Sequence, residues 1–205
     1  MKADLKDNLG SIEDYTKGIE LDPNNAISYY NRGIQKRILN ETSGAIADYT
    51  KAIEINPKYA AAYSNRGKVK GNLQDYDGQL ADYTRAIELR PMDPDYYYNR
   101  GTAKSEHGDN LGAIIDLTKA IELNPKFKLS YYNRALSKIE LGDSRGAIAD
   151  LTKVIEIDPK DALAYYNRGI SKIFLDQKDT GCLDLSKAGE LGFMKAYEAI
   201  KRLCN

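Results

Sequence analysis

One five-residue string recurs along the chain at a constant spacing of 34 residues. It reads Tyr-Tyr-Asn-Arg-Gly from Tyr29, Tyr97 and Tyr165. It reads Tyr-Ser-Asn-Arg-Gly from Tyr63 and Tyr-Tyr-Asn-Arg-Ala from Tyr131. Self-similarity at a fixed period is the sign of a repeat architecture, in which each unit buries its apolar face only against its neighbours. The chain is therefore expected to fold as a linear array of similar units.

A second motif and a series of prolines define the limits of each unit. The motif Asp-Tyr/Leu-Thr/Ser-Lys/Arg recurs in phase from Asp14 to Asp184, and a proline closes each period from Pro23 to Pro159. Proline cannot continue a helix, so it separates neighbouring units. We divide the single array 1–205 into a partial repeat, five full repeats and a short remainder: 1–25; 26–59, 60–93, 94–127, 128–161 and 162–195; and 196–205.

Helical spacing occurs twice within each 34-residue unit. Positions 4, 8 and 11 share one side of a first helix, and positions 20, 24, 27 and 28 form an apolar stripe on a second. Tyr29 at position 4 beside Gly33 at position 8 puts a large ring next to a missing side chain, which predicts a close helix–helix approach. We expect paired antiparallel helices at roughly 26–39 and 43–56, repeated every 34 residues, and no β-strand.

The first full unit reads Tyr29-x2-Arg32-Gly33-x2-Lys36, then Ala45-x3-Tyr49 and Pro57. This pattern resembles the tetratricopeptide repeat (TPR) family, which has Trp, Leu, Gly, Tyr, Ala, Phe and Pro at these places. Arg for Leu and Lys for Tyr are departures from it. The resemblance implies an all-α, right-handed superhelical solenoid of helix-turn-helix repeats. Residues 196–205, with Ala196, Ile200 and Leu203 on one side, are predicted to form a C-terminal capping helix.

Asparagine occupies position 6 of every full unit, on the side of the first helix that lines the peptide-binding groove in this family. Asparagine is unfavourable inside helices, and its carboxamide can pair with a peptide backbone. The array is similar to the asparagine ladders of other members; alternatively, these side chains bond to neighbouring hairpins or water. The candidate peptide-binding residues are Asn31, Asn65, Asn99, Asn133, Asn167, Tyr30, Tyr98, Tyr132, Tyr166, Leu129, Leu136, Leu163, Ile170 and Phe174.

The neighbours of the asparagine ladder would set specificity. Tyrosine at position 5 offers rigid contact area and a hydroxyl. The same side becomes apolar in the last two full units, which predicts an amphipathic or apolar peptide segment there, although Ile139 and Ile173 could pack between hairpins instead. The two-carboxylate clamp of chaperone adaptors needs Lys at position 5, where this chain has Tyr or Ser, so chaperone tails are not expected ligands.

Arginine at position 7 accompanies aspartate at position 23 in every full unit. An Arg at the edge of a buried stripe would be costly without a partner. We therefore predict a structural Arg–Asp ladder between helices, including Arg100 with its aspartate. A role for these arginines in reading a ligand is the alternative.

Composition excludes several other functions. With 30 basic and 30 acidic residues, the chain lacks the basic excess of a nucleic-acid binder. No apolar run approaches the ~20 residues needed to span a bilayer. One histidine excludes a multi-histidine metal site, and neither a phosphate-binding loop nor a nucleophile motif is present. The sequence predicts no catalytic residue, metal or cofactor, and no nucleic-acid or membrane partner.

The two cysteines, Cys182 and Cys204, should lie close together, because the terminal helix must cover the last repeat. No signal peptide is visible, so we expect free thiols and a cytoplasmic location.

The function predicted from these patterns is a scaffold that binds a peptide segment of a partner protein of unknown identity. One alternative is a structural element that self-associates through the incomplete hairpin of residues 1–25. The other is the regulatory repeat region of a larger protein.

Overall fold

A computed structural model describes the backbone of residues 2–204 and the side chains of residues 8–204. Within this range the chain forms twelve α-helices and no β-strand. The predicted helix pairs are confirmed to within one or two residues. The helices are α1 (Lys2–Leu21), α2 (Ala26–Ile38), α3 (Thr42–Ile55), α4 (Ala60–Asn72), α5 (Tyr76–Leu89), α6 (Pro94–Glu106), α7 (Asn110–Leu123), α8 (Lys128–Glu140), α9 (Ser144–Ile157), α10 (Ala162–Ile173), α11 (Lys178–Glu190) and α12 (Lys195–Leu203).

The turns between paired helices depend on a left-handed residue at position 15 of each repeat. Glycine adopts this conformation without strain, and Asn and Asp tolerate it better than most other residues. The residues concerned are Asn40, Gln74, Gly108, Gly142 and Asp176, with φ between 60° and 82°. Three of the second helices then begin at an aspartate that accepts a hydrogen bond from the backbone N–H three residues later: Asp75, Asp109 and Asp143.

Paired helices approach closely where position 8 lacks a side chain. A Cβ on Gly33 would lie 2.8 Å from Cε1 of Tyr49, the residue at position 24 of the second helix. The close helix–helix approach predicted at Gly33 is confirmed, and the ring that the missing side chain accommodates is that of Tyr49. The Tyr29 ring instead lies against the Arg32 guanidinium, 5.5 Å from ring centroid to Cζ. The ring that packs on Gly33 of α2 thus comes from the second helix of the pair, α3.

The chain divides into two compact units, residues 1–103 and 104–205, with the boundary inside α6. In each unit, consecutive helices pack on one another. The cores consist of small residues at positions 20 and 27, such as Ala45 and Ala52, and larger residues at position 24, such as Tyr49 and Leu151, all fully buried. The apolar stripe that the sequence places on the second helix is therefore the core of each hairpin.

The predicted Arg–Asp ladder is confirmed in four repeats. Arg66 donates from Nε and Nη2 to the two carboxylate oxygens of Asp82, at 2.9 and 2.7 Å. The Lys70 ammonium lies 3.0 Å from the same carboxylate, and Arg66 Nη1 donates to Thr50 Oγ1 of the preceding repeat at 3.1 Å. Equivalent bidentate pairs are Arg32–Asp48, Arg134–Asp150 and Arg168–Asp184. The lysine at position 11 replaces the family's tyrosine and completes this ion cluster.

The capping helix α12 packs on α11 and buries Ala196 and Ala199. This placement brings Cys204 next to Cys182, with their Cα atoms 5.9 Å apart, so the predicted proximity is confirmed. The expectation of free thiols is wrong in this structure, because the two residues form a disulfide. Their distance falls within the range that a disulfide allows.

Candidate functional site

The first helix of each full repeat (α2, α4, α6, α8 and α10) presents positions 2, 5, 6, 9 and 13 on one side, which we call the helix-A face. Asparagine at position 6 of this face bonds to the residue at position 5 of the preceding repeat. Its Nδ2 donates to a hydroxyl in three described pairs: Asn65 to Tyr30 at 2.9 Å, Asn99 to Ser64 at 3.3 Å and Asn167 to Tyr132 at 3.0 Å. Positions 5 and 6 therefore form one polar unit that spans two repeats.

Each of these carboxamides keeps hydrogen-bonding capacity. Asn65, Asn99 and Asn167 use one N–H in the bond to the preceding repeat. Their Oδ1 atoms accept no hydrogen bond from the described part of the chain, and their side chains are half-buried. Asn31 and Asn133 are also half-buried. The carboxamides of Asn65, Asn99 and Asn167 thus each retain one acceptor and one N–H beyond the bond to the preceding repeat.

Aromatic contacts fix the tyrosines at position 5. The Tyr30 ring lies 4.7 Å from the Tyr59 ring, and the Tyr166 ring meets Phe193 edge-on at 4.9 Å. Burial raises the pKa of Tyr30 and of Tyr132, so both hydroxyls stay protonated near neutral pH. The hydroxyls of Tyr30 and Tyr132 can therefore both donate and accept hydrogen bonds. Tyr98 on α6 is half-buried as well.

The apolar candidates on α8 and α10 divide into exposed and half-buried residues. Leu129, Leu163 and Phe174 expose 48%, 44% and 76% of their surface. Leu136 and Ile170 are half-buried. Exposed leucine and phenylalanine on one side of neighbouring helices form an apolar patch of the kind that partners cover.

Ile139 and Ile173 pack inside the hairpins. Ile139 contacts the cluster formed by Ala135, Ala147 and Leu151. Ile173 lies against Gly181, where a Cβ would meet its Cγ1 at 2.6 Å. The interpretation that these two side chains fill space between helices therefore fits the structure, and we leave them out of the site.

A small pocket marks the C-terminal end of the helix-A face. Its volume is about 200 Å³, and its lining residues are Tyr166, Lys195, Glu198, Ala199 and Arg202. The apolar stripe of Ala196, Ile200 and Leu203 predicted a capping helix but no pocket. The 34-residue period does not extend into a complete sixth repeat, so no positional pattern could identify this pocket.

The described part of the chain holds neither a candidate metal site nor a candidate membrane span. No group of three His, Cys, Asp or Glu side chains in that range could hold a metal ion. No helix between residues 2 and 204 combines the length and apolar character of a membrane span.

Family models for the TPR match most of the chain. One matches residues 35–74 and 72–108, a second matches 14–47, and a third matches 94–127 and 129–161. The chain belongs to the tetratricopeptide repeat family, and its fold is a TPR solenoid. No curated protein matches the sequence.

Many solved structures share the fold. YrrB, described as a TPR protein with an unusual peptide-binding site, is 27% identical, covers 93% of this chain and 99% of its own, and gives a TM-score of 0.79. MamA is 25% identical over 80% of this chain and 96% of its own, with a TM-score of 0.75. Yeast Tom70 is 19% identical over 94% of this chain and 42% of its own, with a TM-score of 0.72, and this likeness concerns the fold alone.

Proposed function

We propose that this protein is an interaction scaffold that holds an extended peptide segment of a partner protein along the helix-A face. The observation that carries the proposal is the unused hydrogen-bonding capacity of the carboxamides of Asn65, Asn99 and Asn167, which lie at the same position of three repeats. An extended peptide backbone offers C=O and N–H groups at regular intervals, and a carboxamide can pair with both. Such pairing does not depend on the side chains of the peptide.

The apolar patch of Leu129, Leu163 and Phe174 supplies the second part of the proposal. Burial of these side chains by apolar residues of the peptide would contribute about 25 cal/mol per Å² of apolar surface removed from water. Leu136 and Ile170, on the same two helices, are half-buried. The bound segment is therefore amphipathic, with its backbone on the asparagines and its apolar side chains on α8 and α10. The peptide-binding site in the description of YrrB is consistent with this use of the fold.

The test begins with a displayed library of random dodecapeptides selected against the full chain. Binding of a selected peptide is then measured by fluorescence anisotropy for wild type and for Asn133→Ala with Asn167→Ala. Each lost neutral hydrogen bond costs about 0.5–1.5 kcal/mol, so we expect the double variant to bind about 5- to 100-fold more weakly. Its Tm should change little, because the higher helix propensity of alanine offsets the lost hydrogen bond from Asn167 to Tyr132.

A matched control removes two polar side chains from the outer side of the second helices. Lys119→Ala with Lys153→Ala alters exposed residues that pair with Glu122 and Glu156 on their own helices. We expect this variant to bind the peptide as wild type does. Equal affinity of both double variants would refute the asparagine ladder. Failure to select any peptide would count against the scaffold function as a whole.

A further inference from the structure

The small pocket at the C-terminal end of the helix-A face lies between two helices. Tyr166 lines it from α10, and α12 lines it with Lys195, Glu198, Ala199 and Arg202. These four residues follow one another at helical spacing, so they share one side of α12. The volume of about 200 Å³ is enough for a small group of a ligand but not for a longer stretch of peptide.

Both helices hold their side of the pocket in place without a ligand. The α12 helix buries Ala196 and Ala199 against the last repeat and is joined to α11 by the disulfide. The Tyr166 ring is fixed by its edge-on contact with Phe193. A ligand would therefore bind to a pocket whose walls are already ordered, which lowers the conformational entropy lost on binding.

Tyr166 differs from Tyr30 and Tyr132 in the state of its hydroxyl. Tyr30 and Tyr132 each accept a hydrogen bond from the asparagine found 35 residues later. The residue at that distance after Tyr166 is Lys201, and the Tyr166 hydroxyl makes no hydrogen bond within the described part of the chain. The Tyr166 side chain is half-buried and belongs to the pocket lining. Its hydroxyl can therefore donate to an acceptor in the pocket.

The charged residues of the pocket lack ion-pair partners. Lys195, Glu198 and Arg202 are exposed, and none of them forms an ion pair with another described residue. By contrast, Lys187 on the neighbouring α11 pairs with Glu190 at 3.0 Å. Two cations and one carboxylate give the pocket lining a net charge of +1. A group with acceptor oxygens and a single negative charge would balance this charge and meet both cations and the tyrosine hydroxyl.

Apolar residues continue the helix-A face beside the pocket. Leu163 precedes Tyr166 by three residues and Ile170 follows it by four, so all three lie on the same side of α10. Leu163 belongs to the exposed apolar patch. A peptide whose apolar side chains cover this patch would therefore bring a neighbouring residue or its own terminus close to the pocket.

We propose that this pocket binds one carboxylate of the peptide held on the helix-A face. The inference rests on the proposed function for the source of the carboxylate, whereas the pocket itself depends only on α10 and α12. The carboxylate oxygens accept from the Lys195 ammonium, the Arg202 guanidinium and the Tyr166 hydroxyl. The site differs from the clamp of chaperone adaptors, because both of its cations lie on the capping helix. The carboxylate belongs to the C-terminus of the peptide or to an acidic side chain.

The first experiment uses small probes and no peptide. N-acetyl-leucine carries a terminal carboxylate, the α-amide of N-acetylglutamate carries only a side-chain carboxylate, and N-acetyl-leucine amide carries none. Each probe is titrated at constant pH and ionic strength into the ¹⁵N-labelled full chain, and the backbone amide signals of α12 are followed by NMR. We expect at least one carboxylate probe to shift these signals with saturation, and the amide to leave them unchanged. The proposal fails if neither carboxylate probe saturates or if the amide binds equally well.

Lys195→Gln with Arg202→Gln removes both cations of the pocket. Because two charge-assisted hydrogen bonds are lost, we expect this double variant to bind the carboxylate probe about tenfold more weakly. Lys187→Gln with Lys201→Gln is the matched control, since it removes two exposed lysines from α11 and α12 outside the pocket. This control should bind the probe as wild type does. Equal weakening in both double variants would indicate a general effect of net charge and would contradict a site in the pocket.

Two single variants should change the affinity for the probe in opposite directions. Tyr166→Phe keeps the ring on Phe193 but removes a donor, so binding should weaken about 2- to 10-fold at an unchanged Tm. Glu198→Gln removes the repulsion between two carboxylates, so binding should tighten about 2- to 5-fold. Tyr132→Phe is the control for the tyrosine, because its hydroxyl meets Asn167 outside the pocket. An equal loss in both tyrosine variants, or weaker binding by Glu198→Gln, would overturn the assignment.

The second experiment uses the peptide selected on the full chain. Versions with an amidated C-terminus, or with Gln and Asn in place of Glu and Asp, remove the two possible sources of the carboxylate. We expect one version to bind wild type about tenfold more weakly than the unmodified peptide, and both to bind Lys195→Gln with Arg202→Gln equally. If neither version differs by more than twofold on wild type, the inference is wrong while the scaffold function stands. If no peptide is selected but a carboxylate probe saturates, the scaffold function fails and the pocket stands.

Discussion

The aspartate at position 23 lies between two cations, and the three side chains differ in exposure. In the second full repeat, Asp82 exposes 5% of its side chain, Arg66 16% and Lys70 22%. Removal of the aspartate leaves two partly buried cations without an acceptor. Removal of the arginine leaves Asp82 paired with Lys70, so the buried carboxylate keeps one counter-ion. The two substitutions should therefore lower the free energy of unfolding by different amounts, although they break the same ion pair.

We expect Asp82→Ala to lower the free energy of unfolding by about 2–3 kcal/mol. Arg66→Leu should cost about 1 kcal/mol, since leucine is the family's usual residue here and can pack on the helix. Chemical denaturation followed by circular dichroism measures both. Glu88→Ala, in an exposed pair with Arg85, serves as the control and should have no measurable effect. An equal loss for Asp82→Ala and Arg66→Leu would contradict the idea that Lys70 compensates.

The sequence predicted the Arg–Asp pairs, and it offered bonds from the position-6 asparagines to neighbouring hairpins only as an alternative, without naming their partners. Arg66 and Asp82 lie in the same hairpin, so their positions on two helical wheels are enough to place them together. The bond from Asn65 to Tyr30 joins two hairpins, and it depends on how far one repeat is displaced from the next. A pattern that is identical in every repeat contains no information on that displacement.

At the scale of the helix pair, position 8 determines how closely the two helices can pack. A Cβ on Gly169 in α10 would lie 2.8 Å from the carbonyl oxygen of Gly181 in α11. A backbone atom cannot move away as a flexible side chain can, so the two helices would have to separate. Gly10 in α1 has no atom within 4 Å of its Cβ position. A Cβ added at Gly169 therefore forces two helices apart, whereas a Cβ added at Gly10 displaces nothing.

Gly169→Ala should destabilise the protein by about 1–3 kcal/mol through overpacking. Gly10→Ala should stabilise it by up to about 1 kcal/mol, because glycine is unfavourable inside a helix. Thermal unfolding of the two single variants tests whether the first is destabilised and the second stabilised. The fourth full repeat carries Ala135 at the position of Gly169, so this glycine is required by local geometry and not by the repeat itself. A stabilising effect of Gly169→Ala would show that α10 and α11 can separate at little cost.

The disulfide fastens α12 to α11. Cys182 and Cys204 are separated by 22 residues, and closing a loop of that size in the unfolded chain is worth about 3 kcal/mol. We expect no free thiol when the non-reduced protein is unfolded and titrated, and two after reduction. Reduction or Cys204→Ser should lower the Tm and speed amide hydrogen exchange in α12. Two free thiols in the purified, non-reduced protein would contradict the bond.

The disulfide also shows how much of the structure around α12 could be predicted from the sequence. The apolar stripe of α12, with Ala196 and Ile200, was enough to place Cys204 near Cys182. The expectation of free thiols came from the compartment, which was inferred from two cysteines and no visible signal peptide. The distance between the two cysteines follows from helix packing, whereas their oxidation depends on the redox state of the compartment. The predicted proximity was therefore right although the predicted free thiols were wrong. Disulfides persist mainly in oxidising surroundings, so the titration also tests the predicted cytoplasmic location.

At the scale of the whole molecule, the open question is whether copies of the chain associate. In a repeat array each hairpin contacts only its neighbours, so the outer side of an end helix has the fewest partners. α12 is short and is fastened to α11 by the disulfide. α1 packs against α2, and on it Leu9 and Leu21 expose 49% and 88% of their surface. Scattered leucines of this kind are common on monomeric proteins and do not require a partner.

We therefore expect a monomer of 22.9 kDa by size-exclusion chromatography with light scattering, independent of concentration between about 1 and 100 µM. The physical reason is that a stable homodimer needs a contiguous apolar interface of ~800 Å² per partner, which two separated leucines do not provide. A mass that rises with concentration would favour the self-assembling alternative. Leu9→Lys would then decide whether α1 forms the contact, because a charge at an exposed position leaves the fold intact but prevents burial in an interface. Restoration of the monomer by that change would assign the association to α1.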